Sequence, residues 1–175
     1  MDAKVYTLGY GGMRLDDFLM LVKSIDSSVV VDVRRFPRSS VEAYDGEKLK
    51  EKLASLGISY VWLGELGALG LGRVYKPNEL VECTNSYTFQ VYLAYLVSEP
   101  RALAALTRIR GMAERGLSPV IICKERKPEH CHRQYIADAL AAMGLKVVHL
   151  VGGDALEHSG TPCFNYIRDK LKTVL

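Results

Sequence analysis

The 175-residue sequence predicts an α/β fold: a single three-layer domain, residues 1–175, around a mostly parallel, doubly wound sheet of about five strands. Three observations predict it. Five short apolar runs rich in β-branched or aromatic residues recur along the chain, stretches of helical periodicity separate them, and polar clusters of unusual composition follow the apolar runs.

The runs are Val5 to Leu8, Val29 to Val33, Tyr60 to Leu63, Val120 to Cys123 and Val147 to Val151. Most are apolar at consecutive positions rather than alternate ones, as expected of strands with helices on both sides. Leu15, Phe18, Leu19 and Val22 define the first helical face, Leu49, Leu53 and Leu56 the second, and Ile136, Ala139, Leu140 and Met143 a later one. Gly57, Gly116 and Gly144 each close an amphipathic run ahead of a strand, where a helix often ends in positive φ. Pro100 is expected to separate a helix carrying Tyr87, Val91 and Tyr95 from one carrying Leu103, Leu106 and Ile109. The stretch from Gly64 to Ser86, interrupted by Gly67, Gly70, Gly72 and Pro77, predicts an irregular excursion beside the site. Gly152-Gly153 marks a turn, and Ile167, Leu171 and Val174 predict a closing helix within about residues 162–175. Right-handed crossovers would bring the loops at the strand C-termini onto one edge.

The composition, 49% hydrophobic and 25% charged, suits one globular core. A net charge of +3 permits an acidic partner without requiring nucleic acid. No apolar stretch has the length of a membrane span or a secretory core, so a cytoplasmic protein with no membrane partner is expected. The four cysteines, Cys83, Cys123, Cys131 and Cys163, do not suggest a secreted disulfide framework; thiol chemistry, metal binding and burial compete, with a Cys83–Cys163 disulfide a further alternative.

The segment from Cys123 to Arg133 carries the densest chemistry. Cys131, His132 and Arg133 are expected in the first turn of a helix, where free N–H groups and the dipole favour an anion or a thiolate. Cys131 is therefore the candidate nucleophile or redox thiol, with His132 or Glu125 to move a proton. Arg34, Arg38 and Arg133 are candidate anion ligands, since a guanidinium can bind phosphate or carboxylate through two hydrogen bonds. Cys123 and Ser39 are further ligand-binding candidates, and the loop at Gly9, Tyr10, Gly11 and Gly12 offers backbone to a phosphate or makes only a tight turn. Asp32 is read as a base, a ribose ligand or a partner orienting Arg34. Ion pairing of the arginines with Asp32, Glu65 or Glu125 is the structural alternative. Cys123, Cys131, His132 and either His130 or His149 also include zinc-ligand types, but without paired C-x-x-C units; no cofactor is predicted, and zinc is an alternative. Six residues after Cys123 stands Glu129 rather than arginine, so the spacing does not support a cysteine phosphatase.

Thr7-Leu8-Gly9-Tyr10, Asp32-Val33-Arg34 with Pro37 and Ser39, Leu66-Gly67, and Cys123-x-Glu125-x-x-Pro128-x-x-Cys131-His132-Arg133 resemble, in order, the motifs of the domain of unknown function 488 family. The resemblance implies a small α/β domain whose signature includes Gly9, Asp32, Arg34, Pro37, Cys123, Glu125, Cys131, His132 and Arg133, and it implies no particular reaction. Tyr10 and Gly11 depart from the His and Ser often found after the first glycine, and residues 69–86 fit the pattern poorly.

The leading functional expectation is an enzyme on a phosphorylated or nucleotide-like anion, using an anion pocket and a reactive cysteine. A noncatalytic nucleotide or nucleic-acid binding module and a structural zinc module are the alternatives.

Overall fold

In the computed structural model, which describes residues 2–175, six strands form one sheet. They are β1 (Lys4–Gly9), β2 (Val29–Asp32), β3 (Ser59–Trp62), β4 (Val120–Cys123), β5 (Lys146–Val151) and β6 (Asp154–Glu157), in the order β3-β2-β4-β1-β5-β6. The first five run parallel, as the apolar runs predict. β6 is an addition: it returns antiparallel to β5 after Gly152-Gly153, and all four of its residues are exposed, so it leaves no apolar signature.

Six helices cover the sheet: α1 (Leu15–Ser24), α2 (Gly46–Ser55), α3 (Tyr87–Leu96), α4 (Pro100–Glu114), α5 (Arg133–Ala142) and α6 (Phe164–Val174). Phe18 and Val22 of α1 and Leu49 and Leu53 of α2 pack with Leu8, Val30, Val120 and Ile122. Leu93, Leu106, Ile136 and Ile167 of the other four helices pack with Val5, Val31, Ile121 and Val147. Alternate residues of β4 thus enter opposite cores, and the whole strand is apolar because both sides are covered. Gly57, Gly116 and Gly144 adopt the expected positive φ after their helices. Pro100 opens α4, where its missing N–H costs no helical hydrogen bond.

β4 lies between β2 and β1. The β1 connection uses α1 on one face, whereas the β4 connection uses α5 on the other, so their loops diverge above the C-terminal edge. Divergence of this kind opens a crevice where ligands bind in open α/β sheets.

The excursion predicted after Gly64 contains two short 3-10 turns, Gly64–Leu66 and Leu71–Arg73. It is tied down near its end by a disulfide from Cys83 to Cys163, with a Cα–Cα distance of 5.2 Å across a sequence separation of 80. Chain-entropy arguments assign such a long closure up to about 4.5 kcal/mol. Replacing both cysteines by alanine is expected to reduce unfolding free energy by roughly 2 to 4.5 kcal/mol, measured by urea denaturation against the oxidised protein.

Candidate functional site

Cys123 ends β4, and the chain returns through a short 3-10 turn, Pro128–His130, to Cys131. The helix starts slightly later than expected: Arg133 is the first residue of α5, His132 is its N-cap, and Cys131 precedes the cap. Cys131 nevertheless faces the helix start, because its Sγ accepts from the Arg133 backbone N–H at 3.4 Å. The Cys123 Sγ stands 2.7 Å away and the His132 Nδ1 3.6 Å away.

These neighbours divide the protonation of the two thiols. The hydrogen bond from Cys123, joined by His132 and the Arg133 charge, overcomes burial and lowers the Cys131 pKa to about 3. Burial, and then the hydrogen bond and charge of Cys131, push Cys123 well up. The contact thus pushes the two thiols in opposite directions, Cys131 towards the thiolate and Cys123 towards the thiol.

Arg133 does not face a ligand as expected. It is fully buried, with NH2 donating to the carbonyls of Glu125 at 2.9 Å and Arg126 at 3.2 Å, and NH1 reaching Thr7 Oγ1 at 3.5 Å. Its cation fastens the cysteine loop to β1 from behind. Asp32 is likewise fully buried, which removes it as a base contacting a ligand. Its carboxylate accepts from Arg34 Nε at 2.9 Å, Arg34 NH2 at 2.6 Å and the Tyr60 hydroxyl at 2.5 Å. Of its expected roles, orienting Arg34 is the one this geometry supplies. The third donor of Arg34, NH1, holds the Tyr10 hydroxyl at 2.8 Å. Burial raises the Tyr10 pKa, with Arg34 opposing, so the phenol remains a neutral partner.

A cavity of about 500 Å³ opens over this arrangement. Tyr10, Cys123, Cys131 and His132 line it, together with four cationic side chains, Arg34, Arg35, Arg38 and Lys124, and with His130. Glu125 is the one carboxylate among the lining residues described, and it is exposed. Ser39 lies beside Tyr10 and outside this lining; its Oγ accepts from the Val41 N–H at 3.1 Å.

The glycine loop does not form a phosphate cradle. Tyr10 N and Gly11 N already donate to the carbonyls of Cys123 and Lys124 at 3.0 and 2.8 Å. A Cβ on Gly9 would come within 1.8 Å of Glu125 O, so glycine here allows the β1 and β4 loops to touch.

Cys123, Cys131 and Glu125 bring possible metal-ligand atoms within 4.8 Å of one another. Two thiolates on tetrahedral zinc lie roughly 3.8 Å apart, given Zn–S bonds of about 2.3 Å. The sulfurs stand 2.7 Å apart, closer than that ligand set requires.

One polar chain behind the loop had no sequence signal beyond His149 at a strand end. Arg133 NH1 reaches Thr7 Oγ1, which lies 2.6 Å from His149 Nδ1. His149 Nε2 lies 2.9 Å from His158 Nδ1, and His158 Nε2 lies 2.7 Å from Asp138 Oδ1. Asp138 also accepts from the Thr161 backbone and hydroxyl. Burial, followed by the charges of His158 and Arg133, lowers the His149 pKa to about 4.

The fold and this crevice define an α/β protein with a buried dithiol beneath a cationic cavity. The chain belongs to the family described as Domain of unknown function DUF488, whose model matches residues 14–140, more than two thirds of its length. No curated protein and no solved structure matches it.

Neutral His149 has a testable consequence. Its folded pKa lies below the ordinary 6.5, so the unfolded chain takes up the proton first; its stabilising contribution is complete above about 6.5 and is lost as pH falls through about 4. Thermal denaturation from pH 7 to 4 should show a smaller fall in Tm for His149→Gln than for the unaltered protein, whatever their offset at pH 7.

Proposed function

We propose that the protein is a thiol-dependent enzyme acting on an anionic small molecule, phosphorylated or nucleotide-like. The carrying observation is the Cys131 sulfur, supplied with donors by Cys123 and the Arg133 N–H and set at the edge of a cavity lined by four cationic side chains. In this reading Arg34 and Arg38, with Lys124, hold the anion; the Cys131 thiolate forms a bond to an electrophilic atom of the ligand as the bond to a leaving group breaks, and attack by water then releases the thiolate and completes a hydrolysis. His132 relays the proton, and Glu125 at the rim is a second carrier. Among the described residues no helix is long and apolar enough to cross a membrane.

Alkylation by iodoacetamide tests the thiolate. Low-pKa thiolates are intrinsically less nucleophilic, so the pH profile is more informative than the rate. Cys131 should react at a nearly constant rate from pH 5 to 8, inorganic phosphate or a nucleoside monophosphate should slow it, and Cys131→Ser should remove the reaction. A rate rising about tenfold per pH unit toward 8.5 would overturn the assignment.

The 2.7 Å sulfur contact supports a second reading, a redox dithiol. Attack of Cys131 on hydrogen peroxide would give a sulfenic acid and release the other oxygen as water once protonated. The Cys123 thiol would then displace a second water and close a disulfide. One equivalent of peroxide should lower the mass by two hydrogens, whereas Cys123→Ser should retain a sulfenic acid that dimedone traps. A Cys123→Ser protein that yields no dimedone adduct would exclude this chemistry.

A further inference from the structure

We infer that the cleft beside the anion pocket, lined by Phe36 and Trp62, receives the planar base of a nucleotide whose phosphate lies over the Cys131 loop. This rests on the anion reading above and names the substrate class for the same site.

Phe36 and Trp62, 57% and 52% exposed, present two aromatic side chains near the C-terminal edge of the sheet. Both line a cavity of about 620 Å³ floored by Tyr60, while Phe36 and Arg38 also line the cavity above Cys131. The two spaces therefore share Phe36 and Arg38 in their linings, and the proposed ligand places its anionic group in the first and its base in the second.

The indole is held in position without being covered. Its Nε1–H donates to the Arg34 carbonyl at 2.8 Å, which couples it to the loop that presents the Arg34 guanidinium. Gly64 permits this pose, since a Cβ there would lie 2.8 Å from three atoms of the indole. A fixed aromatic surface loses little freedom when a base stacks on it, and such stacking tolerates any base. Asp45 and Glu47, also on the cleft wall, offer acceptors for an exocyclic amino group, while Lys50 and Arg38 keep the rim cationic. A sugar phosphate has the anion without the ring, so it would fill the first space and leave Trp62 untouched.

Trp62 is the one tryptophan of the chain, so its fluorescence reports this cleft directly. The full-length protein would be titrated with adenosine and guanosine monophosphates and, separately, ribose 5-phosphate. The nucleotides should quench Trp62 saturably, and ribose 5-phosphate should protect Cys131 from alkylation without quenching. Trp62→Leu should weaken nucleotide binding by about 5- to 150-fold in calorimetry, while Trp62→Phe should recover much of it. Ribose 5-phosphate binding should be the same in all three proteins. If nucleotides bind no tighter than ribose 5-phosphate and leave the fluorescence unchanged, the base cleft is refuted and the anion pocket stands. If neither ligand protects Cys131, the anion reading fails and this inference fails with it.

Discussion

The buried Arg133 guanidinium donates to the carbonyls of Glu125 and Arg126 and thereby sets the return path of the chain from Cys123 to Cys131. It acts together with the turn bond from Cys131 N to the Pro128 carbonyl and the Gln134 amide on the Glu129 carbonyl in setting where the second sulfur stands. Cys123 is placed by the β4 ladder, whereas Cys131 lies outside any regular element. The guanidinium thus acts as a covalent-like strut between a strand and a helix start, and its charge helps to keep Cys131 ionised. A lysine could supply the charge but not the fork that spans two carbonyls.

Ahead of the thiols, the Asp32–Arg34 pair works on a different principle. Both partners are almost wholly removed from water, so the pair is tolerable only because further hydrogen bonds from Tyr60 and to Tyr10 complete it. Such a pair contributes less to stability than to direction: with Nε and NH2 committed to the carboxylate, the guanidinium cannot swing. The crevice therefore has one fixed cation, Arg34, and a set of more exposed ones, including Arg38 and Lys124, that can adapt to what enters.

The five parallel strands were legible because burial on both faces selects unbroken apolar runs such as Val29-Val30-Val31, and the helix ends because Gly57, Gly116 and Gly144 adopt positive φ. β6 was not, since its exposed residues take their conformation from pairing with β5 rather than from their own pattern. The loop after β4 was readable as a concentration of chemistry. Arg133 was misjudged because a sequence displays charge but not burial, and its carbonyl partners carry no side-chain signal. The neighbours of Cys131 divide along the same line: His132 is adjacent in sequence, while the contribution of Cys123 required the loop to fold back. Thr7, Asp138, His149 and His158 come from three separate parts of the chain, and no spacing links them.

The stitch between Cys83 and Cys163 has a consequence for biosynthesis. The excursion that begins at Gly64 supplies Ala68, Leu69 and Gly70 to the wall of the cationic cavity, yet its anchor lies far downstream. A nascent chain emerging from the ribosome has both sulfurs of the reactive pair well before Cys163 appears. The thiolate can therefore form while one wall around it is still unpinned, and only post-translational oxidation completes the enclosure.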